Sequence, residues 1–248
     1  MRSRLVRCLI VLLALPTLWV ARPVPASAQS LCGLPDPTWF IEFSDGSVTF
    51  RNDIFRRPGL ILATQGTTIP RQLQAGGAQT VSWENTFATY VGTPAKPANP
   101  ATLPAAAATI LQRAQIPNKA CPTPLIAFNE LLLPGSKAPW SANETLYRQN
   151  VLSLLTLLAG QGAHTFLLIP GVPNVDGAAA QWWQQVSTVS DIVQEVYFKA
   201  PAIYAQGPLA GRNLRLAFRN ALAPYLALGI QPNKLGLMLG FQLSLIHI

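Results

Sequence analysis

From Pro124 onward, the chain alternates short apolar runs of strand length with stretches of helical periodicity. The apolar runs begin near residues 125, 165, 192 and 235. Helical patterns lie between them, and Ser141 with Glu144 forms a capping box at the start of the first one. Repeated strand–helix–strand units with near-continuous apolar strands predict a parallel sheet that is covered by helices.

The lengths of the connections favour one kind of parallel sheet. The connections that follow strands are long, at 130–141, 170–177 and 199–209, whereas the one from the first helix to the next strand is short. This asymmetry predicts a (β/α)8 barrel, whose chemistry is carried by the loops that follow the strands. An open doubly wound sheet is the alternative. Such a sheet usually has a glycine-rich phosphate turn after its first strand, and residues 65–67 match such a turn poorly.

The N-terminal half has a weaker pattern. Residues 40–50 predict a β-hairpin around Asp45-Gly46, within an N-terminal arm at 29–58. Further elements are predicted as strands at 60–64 and 79–84 and as a helix at 104–115. The barrel domain would therefore span 59–242 and lack one or two of its eight strands.

The last apolar run continues beyond a normal strand length. Residues 235–248 contain no turn signal after Gln242. As one strand they would span ~46 Å, against ~17–20 Å for a typical strand. We therefore expect residues 243–248 to be a non-native tail and the barrel to be truncated at its C-terminus. A natural C-terminal strand is the alternative.

Residues 1–28 have the three parts of a secretory signal peptide. Arginines stand near its start, residues 5–20 are largely apolar, and Ala26-Ser27-Ala28 supplies the small residues of a cleavage site. We expect an exported bacterial protein, secreted or otherwise extracytoplasmic, that is not attached to a membrane after cleavage. An uncleaved anchor is the alternative, although the apolar run is shorter than the ~20 residues that span a bilayer.

The charge of the mature chain is mildly positive. Cleavage would remove four of the 18 Lys and Arg residues, which leaves 14 basic and 10 acidic ones. Because these bases are scattered along the sequence, we expect no nucleic-acid binding. Two histidines, with no CxxC or HExxH spacing, predict no histidine-rich metal site.

Cys32 and Cys121 are the two cysteines of the mature chain. An even pair in an exported protein favours a disulfide bond. Two unpaired buried thiols are the alternative.

Asn129 and Glu130 stand where the apolar run at 125–128 enters its loop. A carboxyl group at the rim of an apolar barrel would be desolvated, which raises its pKa and suits a general acid. The neighbouring amide could donate a hydrogen bond to a substrate hydroxyl. A surface glutamate after a buried strand is the alternative interpretation.

An Asn-Glu pair at a strand end is similar to the acid/base signature of many glycoside hydrolases with (β/α)8 barrels. The stretch from about 120 to 242, including Trp182-Trp183 and 237–242, resembles a group of secreted, mostly uncharacterised bacterial barrel proteins. This resemblance implies a glycoside-hydrolase-like protein with Glu130 as its general acid/base. It also implies a poly- or oligosaccharide ligand and no cofactor.

Glycoside hydrolysis generally needs a second carboxylate, which lies on a later strand in the hydrolases that this chain resembles. The strand at 235–241 is followed by Gln242 and no carboxylate. Other candidates are Glu84, Asp176 and Glu195. A non-catalytic glycan-binding barrel at the cell surface is therefore the alternative function.

Side chains at strand ends would bind the sugar by aromatic stacking and by hydrogen bonds. The substrate-binding candidates are Asn129, Gln65, Glu84, Trp83, Trp140, Tyr197 and Gln242, with Tyr204 as a further aromatic. Simple packing is the alternative for Trp83 and Trp140. A Ser-His-Asp hydrolase is disfavoured because no GxSxG elbow occurs and His164 precedes a strand, away from the active rim.

Overall fold

The protein is an α/β fold in which parallel strands alternate with helices. The structure, a computed structural model, describes residues 39–43, 56–57, 59–64, 68–115, 121, 123–129, 131 and 142–242. The strands are β1 (Trp39–Phe43), β2 (Leu60–Thr64), β3 (Thr80–Thr86), β4 (Leu125–Asn129), β5 (His164–Ile169), β6 (Asp191–Lys199) and β7 (Leu235–Gln242). The helices are α1 (Thr68–Ala75), α2 (Ala88–Val91), α3 (Leu103–Arg113), α4 (Ala142–Gly160), α5 (Ala178–Val189), α6 (Ala200–Tyr204) and α7 (Ala210–Ala227).

The sheet curls until its two outermost strands meet. Each strand pairs in parallel with the next along the chain, and β7 then pairs in parallel with β1 to close a barrel. The closing register aligns Trp39 with Leu237 and Ile41 with Leu239, whereas β6 and β7 are in register over their whole paired length, from Ile192 to Lys199. Closure therefore rests on a short seam between β7 and β1.

The (β/α)8 expectation is wrong, because the described residues form seven strands rather than eight. The expected N-terminal hairpin is also wrong in its first half. Trp39–Phe43 pairs in parallel with β2 and β7, which makes it a barrel strand and not the arm of an antiparallel hairpin. A barrel closes at the number of strands for which tilt and stagger agree, and no periodicity along the chain states that number. The expected turn at Asp45-Gly46 and the expected tail at 243–248 lie outside the described residues.

Two separate apolar clusters surround the strands. The outer cluster joins strand residues such as Ile126, Phe128 and Leu167 to the buried faces of the helices. The interior cluster contains alternate strand residues and no helical residue, and its members are Ile61, Ala63, Cys121, Leu125, Ala127, Phe166, Leu168, Val193 and Met238. Alternation along each strand thus sends successive side chains either to the barrel interior or to the helix layer.

The helical periodicity of the sequence is confirmed in the described region. On α4 the residues at helical spacing, Tyr147, Val151, Leu154, Leu155 and Leu158, are fully buried, and Gly162 beyond its end has a left-handed φ of 82°. On α5 the Trp182 and Trp183 rings meet edge to face at 4.7 Å, and both pack in the core. Pro224 lies inside α7 and does not split it. Among the helices that the structure describes, none is long and apolar enough to cross a bilayer.

The packing of α4 on the strands predicts a large stability difference between two leucine truncations. Leu154→Ala removes a fully buried side chain from the outer cluster and should lower the free energy of unfolding by about 3 kcal/mol. Leu216→Ala, on the exposed side of α7, is the control and should change it by less than about 0.5 kcal/mol. Urea denaturation followed by circular dichroism measures both; equal losses would contradict this account of the core.

Cys121 lies just before β4 and belongs to the interior cluster. It is disulfide-bonded, and Cys32 lies outside the described residues, so the Cys32–Cys121 pairing stays a prediction. Closing a loop of about 90 residues would stabilise the fold by ~4–5 kcal/mol in the chain-entropy model. Non-reducing peptide mass spectrometry of the purified protein should recover the cross-linked peptide, and two free thiols would refute the pairing.

Candidate functional site

Polar side chains occupy the barrel interior toward the carboxyl ends of the strands. Glu84 is aligned with Ala127 of the interior cluster, and Glu195 is aligned with Met238 of the same cluster. Because aligned residues of neighbouring parallel strands share a face of the sheet, both glutamates lie on the interior face. Carboxylates at this end of a parallel barrel stand where such folds carry their chemistry.

Glu84 and Asn129 form the best-defined polar contact in this region. The Asn129 side-chain amide donates a hydrogen bond of 2.7 Å to Oε1 of Glu84, across the β3–β4 pair. Glu84 is only 1% exposed and Asn129 is half-buried. A buried carboxylate requires donors that replace its lost hydration, and Asn129 supplies one of them. The amide that the sequence assigned to a substrate hydroxyl therefore also binds a neighbouring carboxylate.

β6 contributes a second carboxylate and an exposed aromatic side chain. Glu195 is 6% exposed, and Tyr197, two residues nearer the strand end, is 40% exposed. Alternation places both on the interior face of β6, with Tyr197 aligned with Gly240 of β7. The exposed ring therefore stands at the barrel mouth, above the buried carboxylate.

The structure separates the other predicted site residues. Trp83 is buried in the outer cluster between strands and helices, which favours the packing interpretation for its ring. Gln242 is the last residue of β7 and is aligned with Lys199 of β6. Asp176 is exposed in the loop after β5, where its backbone carbonyl accepts a hydrogen bond from the first turn of α5. Glu130, Gln65 and Trp140 lie outside the described residues.

Gln194 is a positioning residue that sequence reasoning missed. Its Nε2 donates to the carbonyls of Ile169 and Gly171, both at 2.7 Å, and its Oε1 accepts from the Tyr225 hydroxyl at 3.1 Å. Burial raises the pKa of the Tyr225 hydroxyl, which therefore remains a donor. Gln194 thus ties the loop after β5 to β6 and α7. The available signal was an amide that directly follows the apolar residues Ile192 and Val193 within a strand.

β3 carries a polar column along its interior face. Thr80 and Ser82 precede Glu84 on this face, and both are fully buried. Among the described residues, neither hydroxyl oxygen has a hydrogen-bond partner. The same strand directs Val81 and Trp83 away from this column, so that its polar side chains are the interior ones. The sequence pattern alone did not indicate that the polar side chains of β3 face the interior and its apolar side chains the helices.

A charged cluster lies at the opposite end of the barrel. His164 Nε2 is 2.7 Å from Asp191 Oδ2, and Lys234 Nζ is 3.2 Å from Asp191 Oδ1. These residues stand at or just before the starts of β5, β6 and β7. The cluster joins three strands at the amino ends of the barrel, remote from the candidate site. Polar contacts at this end of a barrel stabilise the fold. This placement agrees with the exclusion of His164 from the active rim.

Comparison with known proteins does not identify a family. No protein-family model matches the chain, and no curated protein matches it. Among solved structures, the Pseudomonas aeruginosa RhlG/NADP active-site complex matches at 12% identity, over 84% of this chain and 95% of that chain, with a TM-score of 0.29. At this TM-score the similarity bears on neither fold nor function. The candidate site therefore stands on its own geometry.

The Asn129–Glu84 hydrogen bond predicts a measurable coupling. Asn129→Ala removes the donor and should lower the free energy of unfolding by about 1.5–3 kcal/mol, because a buried carboxylate loses a partner. In a Glu84→Gln background the same change should cost less, since a neutral amide tolerates the loss better. A double-mutant cycle by urea denaturation measures the difference. Additive effects would show that the two side chains do not interact.

Proposed function

We propose that the protein is an exported glycoside hydrolase that acts on a poly- or oligosaccharide, with Glu130 as its general acid/base. The observation that carries this proposal is the Asn129–Glu84 hydrogen bond at the carboxyl end of β4. It holds the side chain that immediately precedes Glu130 in the sequence, at the end of the fourth strand in the barrel order. A fixed neighbour is what a general acid requires in order to meet the glycosidic oxygen in one geometry.

Glu195 is our candidate for the second carboxylate. Hydrolysis of a glycosidic bond takes a pair of carboxyl groups that flank the bond, one to protonate the leaving group and one to attack or to activate water. Glu195 lies on the interior face of a later strand, below the exposed Tyr197 ring. Glu84 is assigned a positioning role instead, because it already accepts the hydrogen bond from Asn129.

Tyr197 is our candidate for sugar stacking at the barrel mouth. The apolar face of a pyranose packs on an aromatic ring while polar groups bind its hydroxyls. A ring that is 40% exposed at the end of β6 is available for such a contact. Because Trp83 is buried, we assign its ring no role in sugar stacking.

Glycan binding without catalysis is the second candidate. The observation that favours it is the low exposure of the two described carboxylates, Glu84 and Glu195. A catalytic carboxylate must reach the scissile bond, and side chains this buried reach it only if the substrate enters the barrel mouth. If the substrate stays outside the mouth, the barrel would retain sugars at the cell surface without cleaving them.

Isosteric substitution distinguishes the two candidates. With a panel of poly- and oligosaccharides and reducing-end detection, Glu130→Gln should lower kcat/KM by about 10²–10⁴-fold, because it removes the titrating proton and preserves the shape. Glu195→Gln should also lower it, whereas Glu144→Gln, on α4 outside the strand barrel, is the matched control. Near wild-type turnover by Glu130→Gln would refute its assignment. Sugar binding without any cleavage by the wild type would support the binding function.

A further inference from the structure

We propose that the glycan bound at the barrel mouth is anionic and that it is held by the segment after β6. Together with the last residues of β6 from Tyr197 onward, this segment comprises α6 and the first half of α7, to Arg219. The proposal rests on the carbohydrate function above and adds the chemical class of the ligand.

The first support is the distribution of exposed apolar side chains. Among the described residues, the large exposed apolar side chains at the end of β6 and on the connections that follow β5 and β6 include Val172, Tyr197, Tyr204, Leu209 and Leu216. Because β5 and β6 are adjacent parallel strands, these connections leave the same sector of the barrel mouth. Tyr204 is 84% exposed, so both faces of its ring are open to a ligand. A soluble surface seldom concentrates such side chains in one sector unless they bind something.

The second support is charge. From residue 196 to residue 248 the sequence contains five basic residues and no aspartate or glutamate. Of these, Lys234 is paired with Asp191 at the opposite end of the barrel. Arg212, Arg215 and Arg219 are exposed on α7, which starts at the barrel mouth. Their spacing of three and four residues puts them on one side of the helix.

Arginine clusters of this kind select carboxylate or sulfate groups. The guanidinium plane offers paired N–H donors that match the two oxygens of such an anion. The dipole of α7 also adds positive potential at its first turn, at the same place. Aromatic rings beside arginines fit a polymer that alternates apolar sugar faces with negative groups. A neutral glycan would use the rings and leave the arginines without a role.

Matched polymers test the proposal by binding alone, without any need for turnover. The probes are polygalacturonate against its fully methyl-esterified form, and dextran sulfate against dextran, measured by calorimetry at low salt. The wild-type protein should bind at least one charged polymer about 10-fold more tightly than its neutral partner, as expected for charge-assisted hydrogen bonds. The first pair reports carboxylated and the second sulfated glycans.

Variants then locate the site. Arg212→Gln combined with Arg215→Gln should remove most of that preference, whereas Tyr204→Ala should weaken binding of charged and neutral polymers alike. Arg113→Gln is the control, because this exposed arginine lies at the end of α3, toward the opposite end of the barrel. All four positions are exposed, so the variants should keep the wild-type circular dichroism spectrum.

The outcomes separate this inference from the proposed activity. Equal affinity for charged and neutral polymers, or an unchanged preference in the double arginine variant, would overturn the inference. Duplex DNA that binds as tightly as the charged glycan would overturn it as well, by showing unspecific attraction of polyanions. Tight, arginine-dependent binding without cleavage would leave the inference standing while the hydrolase assignment fails.

Discussion

The parallel pairing of β7 with β1 is the constraint on which the rest of the structure depends. Trp39 and Leu237 begin a short seam that turns a curled sheet into a closed barrel. Closure gives the strands two distinct faces, one toward the interior and one toward the helices. For this reason neighbouring residues such as Trp83 and Glu84 are both buried and yet belong to different environments. Without closure, the interior cluster would be an apolar surface with open strand edges, which is prone to aggregation.

The interior of this barrel is not uniformly apolar. Glu84 and Asn129 lie in the carboxyl-terminal halves of β3 and β4, whereas Thr80 and Ser82 continue the polar side of β3 toward its amino end. Glu195 is aligned with Met238 of the apolar interior cluster. Charge in such a place is costly unless donors compensate it, and the Asn129–Glu84 hydrogen bond is one such compensation. A fold maintains costly groups of this kind most readily where they act, which supports a site at the mouth rather than in the middle of the barrel.

The two ends of the barrel carry different kinds of polar contact. At the amino ends, Asp191 contacts both His164 and Lys234, so that the three side chains join three strands and bind one another. At the carboxyl ends, the exposed Tyr197 and the exposed arginines of α7 lie at the end of β6 and on the segment that follows it. Contacts that are satisfied internally stabilise the fold, whereas exposed rings and cations become useful only with a ligand. This difference separates the structural end of the molecule from its candidate binding end.

The sequence by itself determined the strands and the main helices of the part of the chain that follows Pro124. The predicted strands near 125, 165, 192 and 235 correspond to β4, β5, β6 and β7, and the stripe on α4 is buried as its period of 3.6 indicates. These features are local, because helix and strand periods follow from backbone geometry and from the need to bury one face. The tertiary structure alone decided the rest. It closed the described residues into seven strands, made Trp39–Phe43 a barrel strand, turned the polar side of β3 inward and brought Glu84 to Asn129. Each of these depends on which strands meet across the closed sheet. That choice is made between residues far apart in the chain, so no local pattern records it.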